Sequence, residues 1–236
     1  TYSTATNING GESDLGGNCG YGGLCGDPDE VSAHAEPEKT ENLELGTKWN
    51  INDGKLLFTA AIFQITKKDV MEGEDYSTVG TLNTGENRVK GFELSLSGNI
   101  TDKLSTQAGL TVMDAEILKS VTPANEGETL SNFADDSVYV QLRYQATPKF
   151  SFGGTVTYSS ELYAGQPDSA ASDTYMVPSY TVLDIFANYQ INERLAAYMN
   201  VGNLTDRNYY QASYRSGAFT YIGDARNLKF GVTYEY

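Results

Sequence analysis

Arg226-Asn227-Leu228-Lys229-Phe230-Gly231-Val232-Thr233-Tyr234-Glu235-Tyr236 alternates without a break. Leu228, Phe230, Val232, Tyr234 and Tyr236 fall on one side of an extended chain, and Lys229, Gly231, Thr233 and Glu235 on the other. Successive side chains of a strand point to opposite faces, so this stretch reads as a strand with one apolar and one polar face. The design repeats upstream. Thr40–Asn50 sets Leu43, Leu45 and Trp49 against Glu44, Gly46, Lys48 and Asn50. Lys55–Thr66 is apolar on both faces, so periodicity does not orient it. Arg88–Asn99, Lys103–Ile117, Ser137–Gln145, Phe150–Ser160, Pro178–Gln190 and Leu195–Asn203 follow, and with Arg226–Tyr236 they make nine expected strands.

The connections decide between architectures. Asn52-Asp53-Gly54, Thr101-Asp102, Thr147-Pro148 and Asn192-Glu193 are tight turns. Between them lie long polar connections: one leading to Arg88, then Lys119–Ala134, Glu161–Val177 and Leu204–Ala225. Short and long connections in strict alternation are what a membrane-spanning barrel needs, with tight turns on one side and large loops on the other. Greek-key sandwiches do not alternate in this way. The runs, at roughly 10–12 residues, suit tilted crossings of a bilayer. Trp49, Tyr144, Phe150, Tyr189, Tyr234 and Tyr236 cluster near the short-turn ends, where an interfacial girdle belongs. The fold class expected is therefore all-β, an antiparallel transmembrane β-barrel. An odd strand count is foreign to a whole bacterial barrel, so the chain is expected to begin mid-barrel.

Composition agrees. The 236 residues include 17 Tyr and 24 Gly, which favours strands and turns over helical bundles, and no run nears the ~20 apolar residues of a membrane helix. The net charge is −15, against a nucleic-acid partner, since phosphate binding needs a basic face. Thr1–Pro37 is Gly-, Asp- and Glu-rich without a period and reads as a polar loop, so the chain divides into a loop over 1–39 and barrel strands over 40–236. Cys19 and Cys25 sit among glycines that let the chain fold back, so a Cys19–Cys25 disulfide and an oxidising compartment are expected. Zinc is the alternative and would need two ligands beyond the single His34.

Three stretches carry a family resemblance: Pro37–Trp49, Arg88-Val89-Lys90-Gly91-Phe92-Glu93-Leu94, and Val177–Tyr236. Within the last, Asn203-Leu204-Thr205-Asp206-Arg207-Asn208-Tyr209 and Gly223-Asp224-Ala225-Arg226 stand in the right order and spacing. Together they resemble the C-terminal part of TonB-dependent ferric-siderophore receptors of the bacterial outer membrane. The resemblance implies the closing nine or so strands of a barrel of about 22 strands, filled by an N-terminal plug and drawing energy from TonB. It also implies a ferric siderophore as the transported ligand, with no resident cofactor and no metal site of the protein's own. The plug, a TonB-contacting segment and the first half of the barrel have no counterpart in this chain, so TonB and plug would be reached through a missing N-terminal part.

An anionic ferric chelate calls for positive charge with aromatic and hydroxyl donors. The last long connection offers Arg207, Tyr209, Tyr210, Tyr214, Arg215 and Tyr221, of which Arg215, Tyr214 and Tyr210 are the leading candidates. Tyr163 and Tyr175 in the preceding connection are weaker ones. Packing of loop on loop by the same tyrosines is the competing account. Glu44, Lys48, Glu93, Arg143 and Asp184 are expected to point inward, bridging within the lumen or touching a plug. Asp27-Pro28-Asp29-Glu30 departs from EF-hand spacing, the glycines near Cys19 are followed by no Lys-Ser/Thr, and no catalytic triad or dyad emerges, so an enzyme is not expected. The rival functions are a passive pore or small autonomous barrel, and then a soluble adhesion sandwich.

Overall fold

A computed structural model describes residues 1–7, 37–72, 82–165, 170–171, 175–214, 217 and 219–236. Cys19, Cys25 and His34 lie outside the described residues. In chain order the strands are β1 (Tyr2–Asn7), β2 (Glu38–Ile51), β3 (Leu56–Glu72), β4 (Leu82–Asn99), β5 (Leu104–Lys119), β6 (Asp136–Thr147), β7 (Phe150–Ser159), β8 (Leu162–Tyr163), β9 (Met176–Val177), β10 (Tyr180–Gln190), β11 (Leu195–Gly202), β12 (Tyr210–Tyr214), β13 (Phe219–Ile222) and β14 (Asn227–Tyr234). Ten of them form one antiparallel sheet in the order β1-β2-β3-β4-β5-β6-β7-β10-β11-β14. The pairs β8–β9 and β12–β13 are separate hairpins within the long connections.

The register holds one apolar row across the sheet. Leu45 stands opposite Ile62, Ile62 opposite Phe92, and Phe92 opposite Val112. Farther along, Ala108 meets Val140, Val140 meets Val156, and Val156 meets Leu183. Ala187, Met199 and Phe230 continue the line. Because strand side chains have period two, a slip of one residue anywhere would turn this row inside out. Leu45 is 72% exposed and Phe230 69%, and among the described residues no second layer covers them. Greasy rows that meet no protein belong against lipid, which rules out the sandwich reading. At the short-turn edge Trp49 lies 6.0 Å from Phe58, Tyr144 5.7 Å from Phe152 and Phe150 6.4 Å from Tyr189, a belt of amphipathic rings at the level of the headgroups.

The opposite face is largely polar. Gln141, Arg143, Ser151, Asn188, Asn200 and Thr233 line one hollow of it. Two aromatic rings lie on this side as well. Phe186 covers Gly153 and Tyr198 covers Gly231 on the neighbouring strand, positions where a Cβ would collide with the ring. The glycines thereby let the rings lie flat on the sheet and close gaps in it.

Four expectations need correction. Tyr2–Asn7, placed in the polar loop over Thr1–Pro37, is a strand paired with β2, so the sheet has ten strands instead of nine. β3 and β4 run several residues past their expected ends into charged sequence. The reason is ionic pairing above the apolar row: Lys68 bridges to Glu41 at 2.9 Å, Lys119 to Glu86 at 2.7 Å and Lys90 to Asp114 at 2.9 Å, while Arg88 pairs with Glu116. Cross-strand charge pairs hold a ladder together where lipid no longer does. The long connections also contain β8, β9, β12 and β13, which their polar composition concealed. Finally, the inner row is apolar near its top, where Ala115 and Ile117 pack with Leu130 and Val89.

A charge placed in the outward row should be costly, and one placed beside it in the inner row should not. Val140→Arg is expected to destabilise the folded barrel by about 2–4 kcal/mol, the scale for arginine deep in a bilayer. Gln141→Arg should change stability little. Urea unfolding in lipid vesicles measures both, and equal effects would reverse the assignment of faces.

Candidate ligand-binding cap

The described parts of the β5–β6, β7–β10 and β11–β14 connections are bonded to one another at one end of the sheet, and two asparagines organise them. Asn203 ends β11. It is 2% exposed and holds a left-handed backbone, φ 48°, a conformation Asn tolerates better than most residues. Its N–H donates to Asp184 Oδ1 at 2.7 Å. Its Nδ2 donates to the carbonyls of Arg207 at 2.8 Å and Asp224 at 3.0 Å, and its Oδ1 accepts from the Arg207 N–H at 2.9 Å. One side chain thus ties the start of the β11–β14 connection to its end. Asp206, also at positive φ, accepts from Arg226 Nη2 at 3.2 Å and closes the same turn from outside.

Tyr209 stacks on Tyr180 with ring centroids 4.7 Å apart and covers Gly223. Burial pushes its phenol above the usual tyrosine range, although a backbone hydrogen bond at Asp224 works the other way. Arg207 Nη2 donates to the Ser179 carbonyl at 3.3 Å. Beneath this turn is a hollow of ≈ 420 Å³ bordered by Asp184, Asn200, Asn227 and Lys229.

The second organiser is Asn132, in the β5–β6 connection, at φ 57°. Its N–H donates to the Tyr163 carbonyl at 2.8 Å and its Nδ2 to the Gly165 carbonyl at 3.2 Å. Its Oδ1 accepts from the Ser213 N–H at 3.1 Å. Around it Leu130, Leu162, Ala164, Val177 and Ser213 are buried.

The described residues therefore contain seven of the eight candidates, with every tyrosine among them except Tyr209 on or beside the two hairpins. Tyr163 and Tyr175 flank β8–β9, and Tyr210, Tyr214 and Tyr221 lie on β12–β13. Tyr175, Tyr210 and Tyr221 are exposed, Tyr221 to 67%, and Tyr163 is half-buried. Tyr209 and Arg207 hold the Asn203 turn. Tyr214 is described by its backbone alone, and Arg215 lies outside the described residues. Among the described residues, no group of three or more His, Cys, Asp or Glu is arranged to hold a metal ion.

The chain's residues 1–204 match the family model described as TonB dependent receptor-like, beta-barrel. The chain belongs to that family. Members of the TonB-dependent receptor family are bacterial outer-membrane barrels, and the outward apolar row and aromatic belt place this chain in that membrane. The siderophore receptor PiuA of Acinetobacter baumannii is 30% identical over 234 residues, 95% of this chain and 30% of the relative, and its crystal structure superposes over the whole chain with a TM-score of 0.81. The catecholate siderophore receptor Fiu of Escherichia coli K12 is 31% identical over 194 residues, 82% of this chain and 25% of the relative. Its closed crystal form aligns with a TM-score of 0.77. The chain spans about a third of the length of the relatives it matches.

Sequence reading singled out the Asn203–Tyr209 motif through the family resemblance, but gave Asn203 no role. It missed Asn132 entirely. Ser213, its partner, stands 81 residues away in sequence, and no local pattern signals a bond of that span.

Asn203→Gly keeps the left-handed corner and loses three side-chain bonds, so a loss of about 2–3 kcal/mol is expected, with Asn203→Ala about 1 kcal/mol worse through backbone strain. Urea titration of the two variants checks the order; Ala as mild as Gly would contradict the strain argument. Asp135, three residues after Asn132, is exposed overall, yet partial loss of water around its carboxyl, then the charges of Asp136, Asp114 and Glu161, push it above the usual range. A carboxylate raised in the folded state binds its proton more tightly there than when unfolded. Its contribution is full below the unfolded pKa of about 3.9 and lost as pH rises through the folded value. Asp135→Asn should therefore stabilise the cap at pH 7 and leave it unchanged near pH 3.5, read by amide exchange of the β5–β6 connection.

Proposed function

We propose that this chain is the ligand-capturing wall and cap of an outer-membrane receptor that takes up ferric siderophores with energy supplied through TonB. The supporting observation is the combination of a sheet with an exposed apolar row and long connections that are bonded together and carry the exposed Tyr175, Tyr210 and Tyr221. A passive pore needs no such cap, and nothing in a catalytic reading accounts for it. PiuA and Fiu, named for siderophores, share the fold and most of this chain's length. In this reading the iron chelate is cargo and no resident cofactor is required.

Physical chemistry supplies the rest of the receptor. The sheet is bounded by β1 and β14, and backbone groups along a sheet edge must be paired when lipid surrounds them. Further strands close the barrel in this proposal, and a plug covers the polar face. Energy from TonB acts on that plug rather than on the strands of this chain.

Tyr210, Tyr221 and Tyr175 are the proposed contacts, their rings stacking on the ligand and their hydroxyls donating to its anionic oxygens. Tyr163 contributes from the half-buried side. Tyr214 and Arg215 complete the set as sequence-based candidates, and Arg207 and Tyr209 are proposed to act by holding the turn.

Ferric tris-catecholate is the first probe, because Fiu is a catecholate receptor. In a complete receptor containing this chain, quenching of intrinsic fluorescence should saturate with the chelate. Tyr221→Ala should raise Kd about fivefold to tenfold, the value of one well-placed aromatic contact. Ion conductance in planar bilayers without any saturable chelate binding would favour the pore instead.

A further inference from the structure

We infer that Asn132 is a positioning residue that locks three extracellular connections into one body and so fixes the spacing of the ligand-facing tyrosines. The inference rests on the cap being the binding surface, as proposed above. Asn132 belongs to the β5–β6 connection, yet its bonds leave that connection in two directions. Two go to the β7–β10 connection: N–H to the Tyr163 carbonyl at 2.8 Å, and Nδ2 to the Gly165 carbonyl at 3.2 Å. The third comes from the β11–β14 connection, where the Ser213 N–H donates to Oδ1 at 3.1 Å. A side-chain amide offers a donor and an acceptor on one rigid plane, which a hydroxyl or a carboxylate at neutral pH does not do in this arrangement.

The surroundings are fitted to this junction. The left-handed φ of 57° aims the side chain between the two hairpins. Gly165 lacks a Cβ where the Ser131 side chain lies, and Ser131 and Ser213 are both 4% exposed. Alongside, Ala171 N–H donates to the Thr129 carbonyl at 2.9 Å, Leu130 bridges Ala170, and Gly217 packs against the Tyr175 ring. The strand bearing Tyr163 and the strand bearing Tyr210 are thus referenced to the same residue, one through its backbone N–H and the other through its side-chain amide. Two part-buried hydrogen bonds are expected to hold such a unit more tightly than exposed ones.

The chemistry of the residue suggests its own test, made in a complete receptor containing this chain. Asn132→Gly preserves the left-handed corner and the backbone bond to Tyr163 while deleting both side-chain bonds. Asn132→Asp keeps the acceptor for Ser213 and loses the donor to Gly165. Amide hydrogen exchange reads the outcome, with β6 and β7 as internal references. For Asn132→Gly, exchange at Ser213 should accelerate about tenfold or more with β6 and β7 unchanged. For Asn132→Asp, Ser213 should keep its protection. Dissociation of ferric tris-catecholate should be several-fold faster in the Gly variant and intermediate in the Asp variant, whose carboxylate keeps the Ser213 bond but faces the Gly165 carbonyl without a donor.

Unchanged exchange at Ser213 in the Gly variant overturns the inference, as does acceleration spread evenly over β6 and β7. If the Gly variant does not assemble, the Asp variant decides alone: loss of protection at Ser213 argues against the role. Absence of chelate binding in the wild type would refute the proposed function, yet the exchange result would still report on the lock.

Discussion

A backbone carries one donor and one acceptor per residue, and lipid offers partners to neither. Each strand of this sheet must therefore be satisfied by its neighbours across the whole bilayer, which is why each of the ten strands is laddered to the next, with register shifts confined to strand ends. Once pairing is obligatory, side chains have only two directions available. The row toward lipid must be apolar, and the row toward the interior is left to serve water, a ligand or another domain. The register that aligns Leu45, Ile62, Phe92 and Val112 is a consequence of this division. So is the scarcity of a packed core, because the solvent itself does what a core does in a water-soluble protein.

Above the bilayer the constraint changes, and so does the means of holding the chain. Cross-strand ion pairs take over where β3, β4 and β5 leave lipid, in a setting where each exposed pair contributes modestly. Farther out, the described parts of the connections leave the sheet and form the separate hairpins β8–β9 and β12–β13. There they behave as a small water-soluble assembly, with a buried cluster of Ala115, Ile117 and Leu130 and asparagine side chains in place of strand ladders. Rigid cap and rigid wall meet at Asn203, whose amide bonds to both ends of one connection. The protein is organised in two solvents, and each part follows the rules of its own.

This difference governs what could be read from sequence. The lipid-facing part was legible nearly residue by residue, because a strict period of two is imposed by an external medium and needs no knowledge of distant partners. Leu228, Phe230 and Val232 project to one face in both accounts. The strand extensions were not legible, since Lys68 and Glu86 read as loop until their partners Glu41 and Lys119 are known. β1 escaped for the same reason: Tyr2–Asn7 is short, and its identity as a strand depends on β2. The cap was the least legible. The tyrosines advertise themselves by type, but which of them reach solvent depends on hairpins whose bonds cross dozens of residues.

Among the described residues, every non-glycine position with positive φ is Asn or Asp: Asn52, Asp53, Asp69, Asn132, Asn203 and Asp206. Apart from the turn at Asn52 and Asp53, these corners sit in or beside the long connections, the parts of such a protein under greatest pressure to diversify. The sequence between these corners can vary without straining the backbone. At these corners its alphabet shrinks to about three letters, Asn, Asp and Gly, because other side chains strain the backbone. Change in the outer connections is thus channelled: the corners that set the backbone's path admit few residue types, and the chain between them admits many.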